Sequence, residues 1–324
     1  MKNCYKPEGM LYATAQNREL LASRAGLERA MNEGIILEAP ALLCDSNLCL
    51  HVDLGCMTGI IEREDTVLCR GGEVLKPIAV ITRVGKPVAF RVIGFEERNG
   101  RLCALLSRKL AQEECIHSYL ADLIPGDIIP AKVTHMESFG AFVDIGCGVS
   151  SLLSVDCISV SRISHPRDRL RVGDSIFTVV KMIDEQHQRL FVSMRELLGT
   201  WEQNAALFAP GQTVSGIIRS VETYGAFVEL TPNLAGLAEL REGSADAVLA
   251  QVGNPVAVYI KSILPNRMKI KLVLIDTCKE PVALQPLTYY IDGNTTCHLP
   301  YWRYSPPSAS KIIESVFDEN RSGG

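Results

Sequence analysis

The chain has 324 residues, enough for about two to three compact domains. Hydrophobic residues make up 47% of it and charged residues 22%, which is the composition of a folded globular protein and excludes a disordered one. The formal net charge of −4 argues against a protein that holds nucleic acid mainly through bulk positive charge. A nucleic-acid partner would have to be held by local contacts.

Several classes of protein are not indicated by any sequence pattern. The N-terminal residues lack the apolar core of a signal peptide, and no apolar run is long enough to cross a membrane. The 11 cysteines are an odd number without a C-x-x-C pair, which favours free thiols in a reducing cytoplasm. The scattered histidines lack metal-ligand spacing, and no nucleophile or paired-carboxylate pattern stands out. We therefore expect a cytoplasmic, non-enzymatic protein without a cofactor, a metal or a small-molecule substrate.

The first predicted element is a helix over 18–31, RELLASRAGLERAM, within an N-terminal helical segment at 1–32. Beyond it the chain repeats itself. The stretch ESFGAFVDIG at 137–146 recurs as ETYGAFVEL at 222–230, and FVDIGC at 142–147 has a weaker counterpart in HVDLGC at 51–56. These recurrences divide most of the chain into three copies, at 33–108, 125–195 and 210–275.

Each copy consists of short apolar alternations separated by Gly, Pro, Asn and Asp, a pattern typical of short strands with tight turns. Five strands in such a length suit a small closed barrel, because closure removes the exposed sheet edges. The linkers at 109–124 and 196–209 are rich in Leu, Ala, Glu and Gln and are predicted to be helical. The fold class is thus mainly β, with tandem five-stranded barrels joined by short α-helices.

The segment 276–324 differs from the three copies. Two prolines followed by Ser308 indicate a helix start, with Ile312, Ile313, Val316 and Phe317 on one face. Five aromatic residues lie shortly before that point, beside Arg303. Packing of these aromatics against the third barrel is favoured over an exposed aromatic and basic surface that could contact nucleic acid.

The second copy resembles the S1 RNA-binding domain, an oligonucleotide-binding (OB) barrel named for a ribosomal protein. The residues that carry the resemblance are Gly126, the block FGAFV at 139–143, VGD at 172–174 and RLFVS at 189–193. The third copy matches at Gly211 and YGAFV at 224–228, and the first copy matches only weakly. The resemblance implies RNA binding without catalysis, with single-stranded messenger RNA and the small (30S) ribosomal subunit as partners.

In this family the two aromatics of the block lie on the RNA-binding face, which implies Phe139 and Phe142 here, and Tyr224 and Phe227 in the third copy. Residues three apart in a flat strand point to opposite faces, so we expect a bulge at the intervening glycine. The alternative for each pair is that one ring fills the barrel core.

Basic side chains in the second copy are candidates for phosphate contacts. The loop SRISHPRDRLR at 161–171 concentrates arginines and one histidine, although an ordinary solvated loop remains an equal alternative. The resemblance adds Arg189, at a position near the domain end that commonly contacts RNA in the family. Lys132 and His135 in the first-strand region are weaker candidates, and for His135 a surface histidine is the favoured interpretation. The basic candidates are Lys132, Arg162, His165, Arg167, Arg169, Arg171 and Arg189.

The three copies are not equivalent. Glu239 lies where many family members have a histidine, and a carboxylate there would repel phosphate. The first copy has no aromatic residue between Glu33 and Cys69, so we expect it to dock protein or act as a spacer. The favoured function is therefore binding of messenger RNA in translation, with the middle barrel as the principal RNA-binding domain. Two alternatives remain: an adaptor that docks on the ribosome or RNA polymerase, and an accessory module of an RNA-degrading complex.

Overall fold

The computed structural model describes residues 5–69, 74–98, 100–184, 189–239, 252–277 and 287–318. The chain is organised in two compact units: one contains 1–123, 130–132 and 143–151, and the other contains 124–129, 133–142 and 152–324. No helix in these described ranges is long and apolar enough to cross a membrane.

The N-terminal segment forms two helices instead of the single predicted one. Helix α1 spans Ala15–Leu21 and helix α2 spans Arg24–Glu33. The break falls at Ser23, whose hydroxyl accepts a hydrogen bond from the Gly26 N–H and so caps α2. The prediction of one helix was wrong because the capping residue lies inside an otherwise helical pattern.

The first barrel follows. Its strands are β1 (Leu37–Cys44), β2 (Leu50–Asp53), β3 (Thr58–Ile61), β4 (Pro87–Arg98) and β5 (Arg101–Ser107), with helix α3 (Pro77–Ile81) between β3 and β4. The strands close in the order β1-β2-β3-β5-β4, and β3 pairs with β5 in parallel. Leu37, Leu50, Phe90 and Leu106 are buried in a core that also includes Leu20 and Leu27 from the N-terminal helices.

Helix α4 (Arg108–Ser118) leads to the second barrel, and the Ser107 hydroxyl caps its N-terminus. The second barrel has strands β6 (Ile128–Glu137), β7 (Gly140–Asp144), β8 (Ser150–Ser154), β9 (Ser175–Asp184) and β10 (Arg189–Ser193), with the short helix α5 (Val155–Ile158) after β8. The strands close in the order β10-β8-β7-β6-β9. This order matches that of the first barrel.

Helix α6 (Trp201–Ala205) begins with a capping box formed by Thr200 and Gln203. The third barrel has strands β11 (Thr213–Glu222), β12 (Gly225–Thr231), β13 (Leu234–Ala238), β14 (Pro255–Leu264) and β15 (Lys269–Thr277). They close in the order β11-β12-β13-β15-β14 around buried Ile218, Val228 and Val258. The predicted fold class, mainly β with tandem five-stranded barrels and short connecting helices, is confirmed.

The helix predicted after Ser308 does not form. Instead β16 (Tyr301–Arg303) pairs antiparallel with β17 (Glu314–Val316). Trp302 and Tyr304 pack into the core of the third barrel, while Ile312, placed on the apolar face of the expected helix, is 59% exposed. Pairing with β16 outweighs the local helical pattern. The predicted packing against the third barrel is confirmed for Trp302 and Tyr304, whereas Tyr289 packs against Phe177 of the second barrel.

Candidate RNA-binding surface

The repeated block places its first aromatic in a hairpin turn of the second barrel. Strand β6 ends at Glu137 and β7 begins at Gly140, so Ser138 and Phe139 form the connecting turn. Phe139 is 55% exposed. Phe142 is half-buried between the buried residues Ala141 and Val143, so its ring points away from the barrel core. The two rings meet edge to face, with 6.0 Å between centroids and planes at 90°.

The glycine between these aromatics has a different role from the predicted one. In the third barrel Glu222 pairs directly with Gly225, and the register shift in β11 lies between Ile218 and Ser220, not at the glycine. A Cβ on Gly140 would lie 2.6 Å from the Leu153 carbonyl oxygen. The prediction of a bulge at the glycine was therefore wrong for the third barrel. In both barrels glycine is needed because the adjacent strand passes too close for any side chain.

His135 joins the aromatic pair of the second barrel. Its ring stacks on Phe142, with 6.1 Å between centroids and 24° between planes. The Nε2 atom lies 2.7 Å from Glu137 Oε1. The sequence makes His135 a weaker candidate for RNA contact and favours an ordinary surface histidine, because nothing in the pattern shows that β6 brings it beside the second aromatic. Three rings therefore form one exposed aromatic cluster, which we call the middle platform: His135, Phe139 and Phe142.

The third barrel repeats this geometry without the histidine. Tyr224 lies in the turn between β11 and β12 and is 61% exposed, and Phe227 is half-buried. Their rings meet edge to face at 6.3 Å and 87°. Glu239, at the end of β13, is exposed as well. The third barrel thus presents a carboxylate where the second has Ser154.

The basic loop after β8 is only partly available to a ligand. Arg162, Arg167 and Arg171 are exposed, and the half-buried His165 accepts the Arg167 backbone N–H through Nδ1 at 3.1 Å. Pro166 is buried and begins a 3-10 turn that anchors the middle of the loop. The exposed arginines carry the positive charge of this loop.

Arg169 is an exception, and its prediction as a phosphate contact was wrong. Its side chain is buried and forms an ion pair with Glu229 on β12. Glu229 also accepts a hydrogen bond from Arg219 Nε at 2.7 Å, and Arg219 lies 3.4 Å from Asp168. Burial lowers the pKa of the Arg169 guanidinium, and the Glu229 carboxylate opposes that shift. Arg169 connects two barrels and is not accessible to RNA.

The remaining basic candidates lie apart from the loop. Lys132 is half-buried and donates a hydrogen bond from Nζ to the Glu8 carbonyl at 2.9 Å, so its ammonium is held against the N-terminal segment. Arg189 is exposed at the start of β10, opposite Asp184. Of these two residues, Arg189 is the more exposed.

The architecture of these barrels defines the class of protein. A closed five-stranded barrel with exposed aromatics on one face is typical of an oligonucleotide-binding fold. Residues 122–195 match the family model described as the S1 RNA binding domain. The middle barrel therefore belongs to the S1 RNA-binding domain family, and the chain is distantly similar to ribosomal protein bS1.

The curated relatives share this similarity over much of the chain. Small ribosomal subunit protein bS1 of Staphylococcus epidermidis is 29% identical over 264 residues, which cover 73% of this chain and 65% of that protein. The bS1 homolog of Bacillus subtilis is 28% identical over 62% of this chain and 54% of the relative. The protein from Rhizobium meliloti is 26% identical over 64% of this chain and 38% of the relative. The chain thus spans between 38% and 65% of the length of these relatives.

Solved structures also match parts of the chain. A Streptococcus pneumoniae crystal structure, described as a multidomain protein with nucleic acid binding domains, is 15% identical and covers 75% of this chain and 73% of its own, with a TM-score of 0.23. The solution structure of GSP13 from Bacillus subtilis is 23% identical, covers 28% of this chain and 63% of its own, and has a TM-score of 0.22.

Proposed function

We propose that this chain is a cytoplasmic, non-catalytic protein that binds single-stranded messenger RNA and acts in translation at the small ribosomal subunit. The middle barrel is its principal RNA-binding module. The single observation that carries the proposal is the middle platform, which lies on a domain of the S1 RNA-binding family. The ribosomal role rests on the distant similarity to bS1.

The chemistry of the platform suits unpaired bases. Every base has a flat π-face, and stacking on an aromatic side chain contributes about 1–3 kcal/mol per base. The rings of Phe139 and Phe142 are perpendicular, so they can stack on two successive bases only if the RNA backbone turns between those bases. Single-stranded RNA has that freedom, whereas a stacked duplex does not. The exposed loop arginines would then hold the phosphates.

The test measures the affinity of the full chain for a fluorescently labelled single-stranded RNA by anisotropy, with an RNA duplex as competitor. We expect the double variant Phe139→Ala with Phe142→Ala to bind at least about ten-fold more weakly, because two stacking contacts are lost. Tyr12→Ala is the matched control, since Tyr12 is an exposed aromatic of the N-terminal segment. Wild-type affinity no greater than that of an unrelated acidic protein would overturn the proposal.

A second role is favoured by one observation on the first barrel. Where the other barrels carry the second aromatic, this barrel has His51, which lies 3.4 Å from Asp45 and does not belong to an aromatic pair. The barrel instead exposes large aliphatic side chains on β1 and around α3: Leu42, Leu43, Ile78, Ile81 and Val84. Such a surface suits protein docking, as in the adaptor alternative.

Co-sedimentation with small ribosomal subunits tests this second role. We expect Ile78→Ser with Ile81→Ser to reduce co-sedimentation while its affinity for free RNA stays at the wild-type value. Unchanged co-sedimentation would remove the adaptor role from this surface.

A further inference from the structure

The first and third barrels share a row of cross-strand partners that begins at His51 and at Phe227. In the third barrel Phe227 pairs with Leu237, Leu237 with Lys271, and Lys271 with Ser262. In the first barrel the row is His51, Ile60, Leu105 and Gly94. In both rows the strand pairing shifts register immediately before the last residue.

The second barrel continues the pattern. Leu152 pairs with Phe191, and Phe191 pairs with Met182, next to the same register shift. Gly140 approaches the Leu153 carbonyl and Leu152 as Gly225 approaches Ala238 and Leu237. This match places Phe142 beside Leu152, just as Phe227 lies beside Leu237. The equivalent of Lys271 is therefore Phe191.

The row of the second barrel is apolar throughout. Phe142, Leu152 and Phe191 are half-buried, and Met182 is 52% exposed. Four apolar side chains across one solvent-facing surface form a contiguous patch of a kind that usually marks a binding site. Because Phe191 adds a third phenyl ring to this surface, the patch can accept more than the two bases assigned to the middle platform.

At the position equivalent to Phe191, the third barrel has a charged side chain instead of an apolar one. Lys271 is exposed, and exposed Lys269 lies two residues earlier on β15. A third exposed lysine, Lys261, precedes Ser262, the partner of Lys271. Within the described ranges no salt bridge involves these three lysines. This surface, which we call the lysine cluster, suits phosphate oxygens.

We propose that Phe191 is an additional base-stacking residue of the second barrel and that Lys271 is a phosphate-contacting residue of the third. The two barrels then hold single-stranded RNA through different contacts made from equivalent positions. This inference rests on the proposed RNA-binding function. It goes beyond the repeated aromatic block, because Phe191 and Lys271 lie outside that block.

The test measures the affinity of the full chain for labelled single-stranded RNA at a series of salt concentrations. Phe191→Leu keeps an apolar side chain but removes the π-face, so we expect affinity to fall about five-fold or more with an unchanged salt slope. Phe191→Tyr keeps the ring, and we expect it to bind like wild type. Lys271→Met keeps the aliphatic stem but removes the charge, and we expect the slope of log K against log salt to flatten by about 0.7.

A conservative variant and a folding measurement distinguish the loss of an RNA contact from misfolding of the variant. Lys271→Arg should retain the wild-type slope, and circular dichroism should show all variants folded. If Phe191→Leu binds RNA with wild-type affinity, the stacking role of Phe191 is wrong and the apolar patch would instead bind a protein partner. If Lys271→Met keeps the wild-type salt slope, the phosphate-contacting role of Lys271 is wrong. Failure of the wild-type chain to bind RNA would instead overturn the proposed function itself.

Discussion

Arg169 and Glu229 form a buried ion pair that joins the loop after β8 of the second barrel to strand β12 of the third. Arg219 approaches the same carboxylate, so two guanidinium groups share Glu229. An ion pair of this kind depends on both partners being present, because removal of one leaves the other buried without full compensation.

We therefore expect Arg169→Met to destabilise the protein by about 3 kcal/mol. This value is at the lower end of the range for a broken buried ion pair, because Arg219 still neutralises Glu229. Arg167→Met is the matched control on the exposed side of the same loop and should change stability by less than about 0.5 kcal/mol. Urea unfolding followed by Trp fluorescence measures both. Equal effects of the two substitutions would contradict the structural role of Arg169.

Glu38 gives a pH dependence that can be measured in the first unit. Its Oε2 accepts backbone N–H groups of Gly9, Leu11 and Tyr12 at 2.8–2.9 Å, while Oε1 is buried without a hydrogen-bond partner in the described structure. Burial raises the pKa of Glu38 from 4.5 to about 7, with the Tyr12 hydrogen bond opposing the shift and the Glu8 charge adding to it.

A carboxyl group whose pKa is raised by folding binds its proton more tightly in the folded state. Its contribution to stability is complete below the unfolded pKa and is lost as the pH rises through the folded pKa. We expect the melting temperature of wild type to fall between about pH 4.5 and pH 7 relative to that of Glu38→Gln, which cannot ionise. The exposed Glu33→Gln is the control and should follow wild type. Parallel pH profiles for Glu38→Gln and wild type would contradict this assignment.

Gly140 offers a steric test of the hairpin that carries the middle platform. Gly140→Ala places a Cβ against the Leu153 carbonyl, so we expect a loss of about 1–3 kcal/mol in stability and a weaker affinity for RNA. Gly94→Ala is the control, because its nearest neighbouring atom would lie at 4.0 Å. Thermal unfolding and RNA anisotropy measure both variants. An unaffected Gly140→Ala protein would show that β7 and β8 do not approach as closely as described.

The C-terminal segment provides a matched pair of tyrosines. The buried Tyr304 hydroxyl donates a hydrogen bond to the Asn233 carbonyl, whereas the Tyr301 hydroxyl donates to Glu314 at the surface. We expect Tyr304→Phe to destabilise the protein by about 1–3 kcal/mol, because a buried carbonyl loses its partner. Tyr301→Phe should cost less than about 0.5 kcal/mol. Chemical unfolding distinguishes the two, and a reversed order would contradict the packing of this segment.

The sequence was sufficient to predict the barrels, because strand alternation and the repeated block are local and periodic. It was insufficient where a tertiary partner decides the outcome. Arg169 belongs to an arginine-rich loop, and only the fold brings Glu229 to it from another barrel. The pattern after Ser308 is helical in period, yet pairing with β16 makes a strand of Glu314–Val316.

The candidate site also combines residues that a local sequence pattern identifies with residues that only the fold brings together. The block itself identified Phe139 and Phe142, since two aromatics around a glycine recur in the third barrel. His135 was only a weaker candidate and Phe191 was not a candidate, because each lies on another strand and joins this surface only through strand register. The close approach of Leu153, which explains Gly140, is likewise a contact between strands.

The most direct test of the central claim places a fluorescent ring in the middle platform. Trp201 and Trp302 are both buried and provide a constant background, so Phe139→Trp adds the exposed indole of interest. We expect saturating single-stranded RNA to quench the added fluorescence, because a base stacks on the indole, while the control Tyr12→Trp remains unquenched. RNA binding detected by anisotropy without any change in the emission of the Phe139→Trp protein would contradict the claim that the middle platform stacks bases.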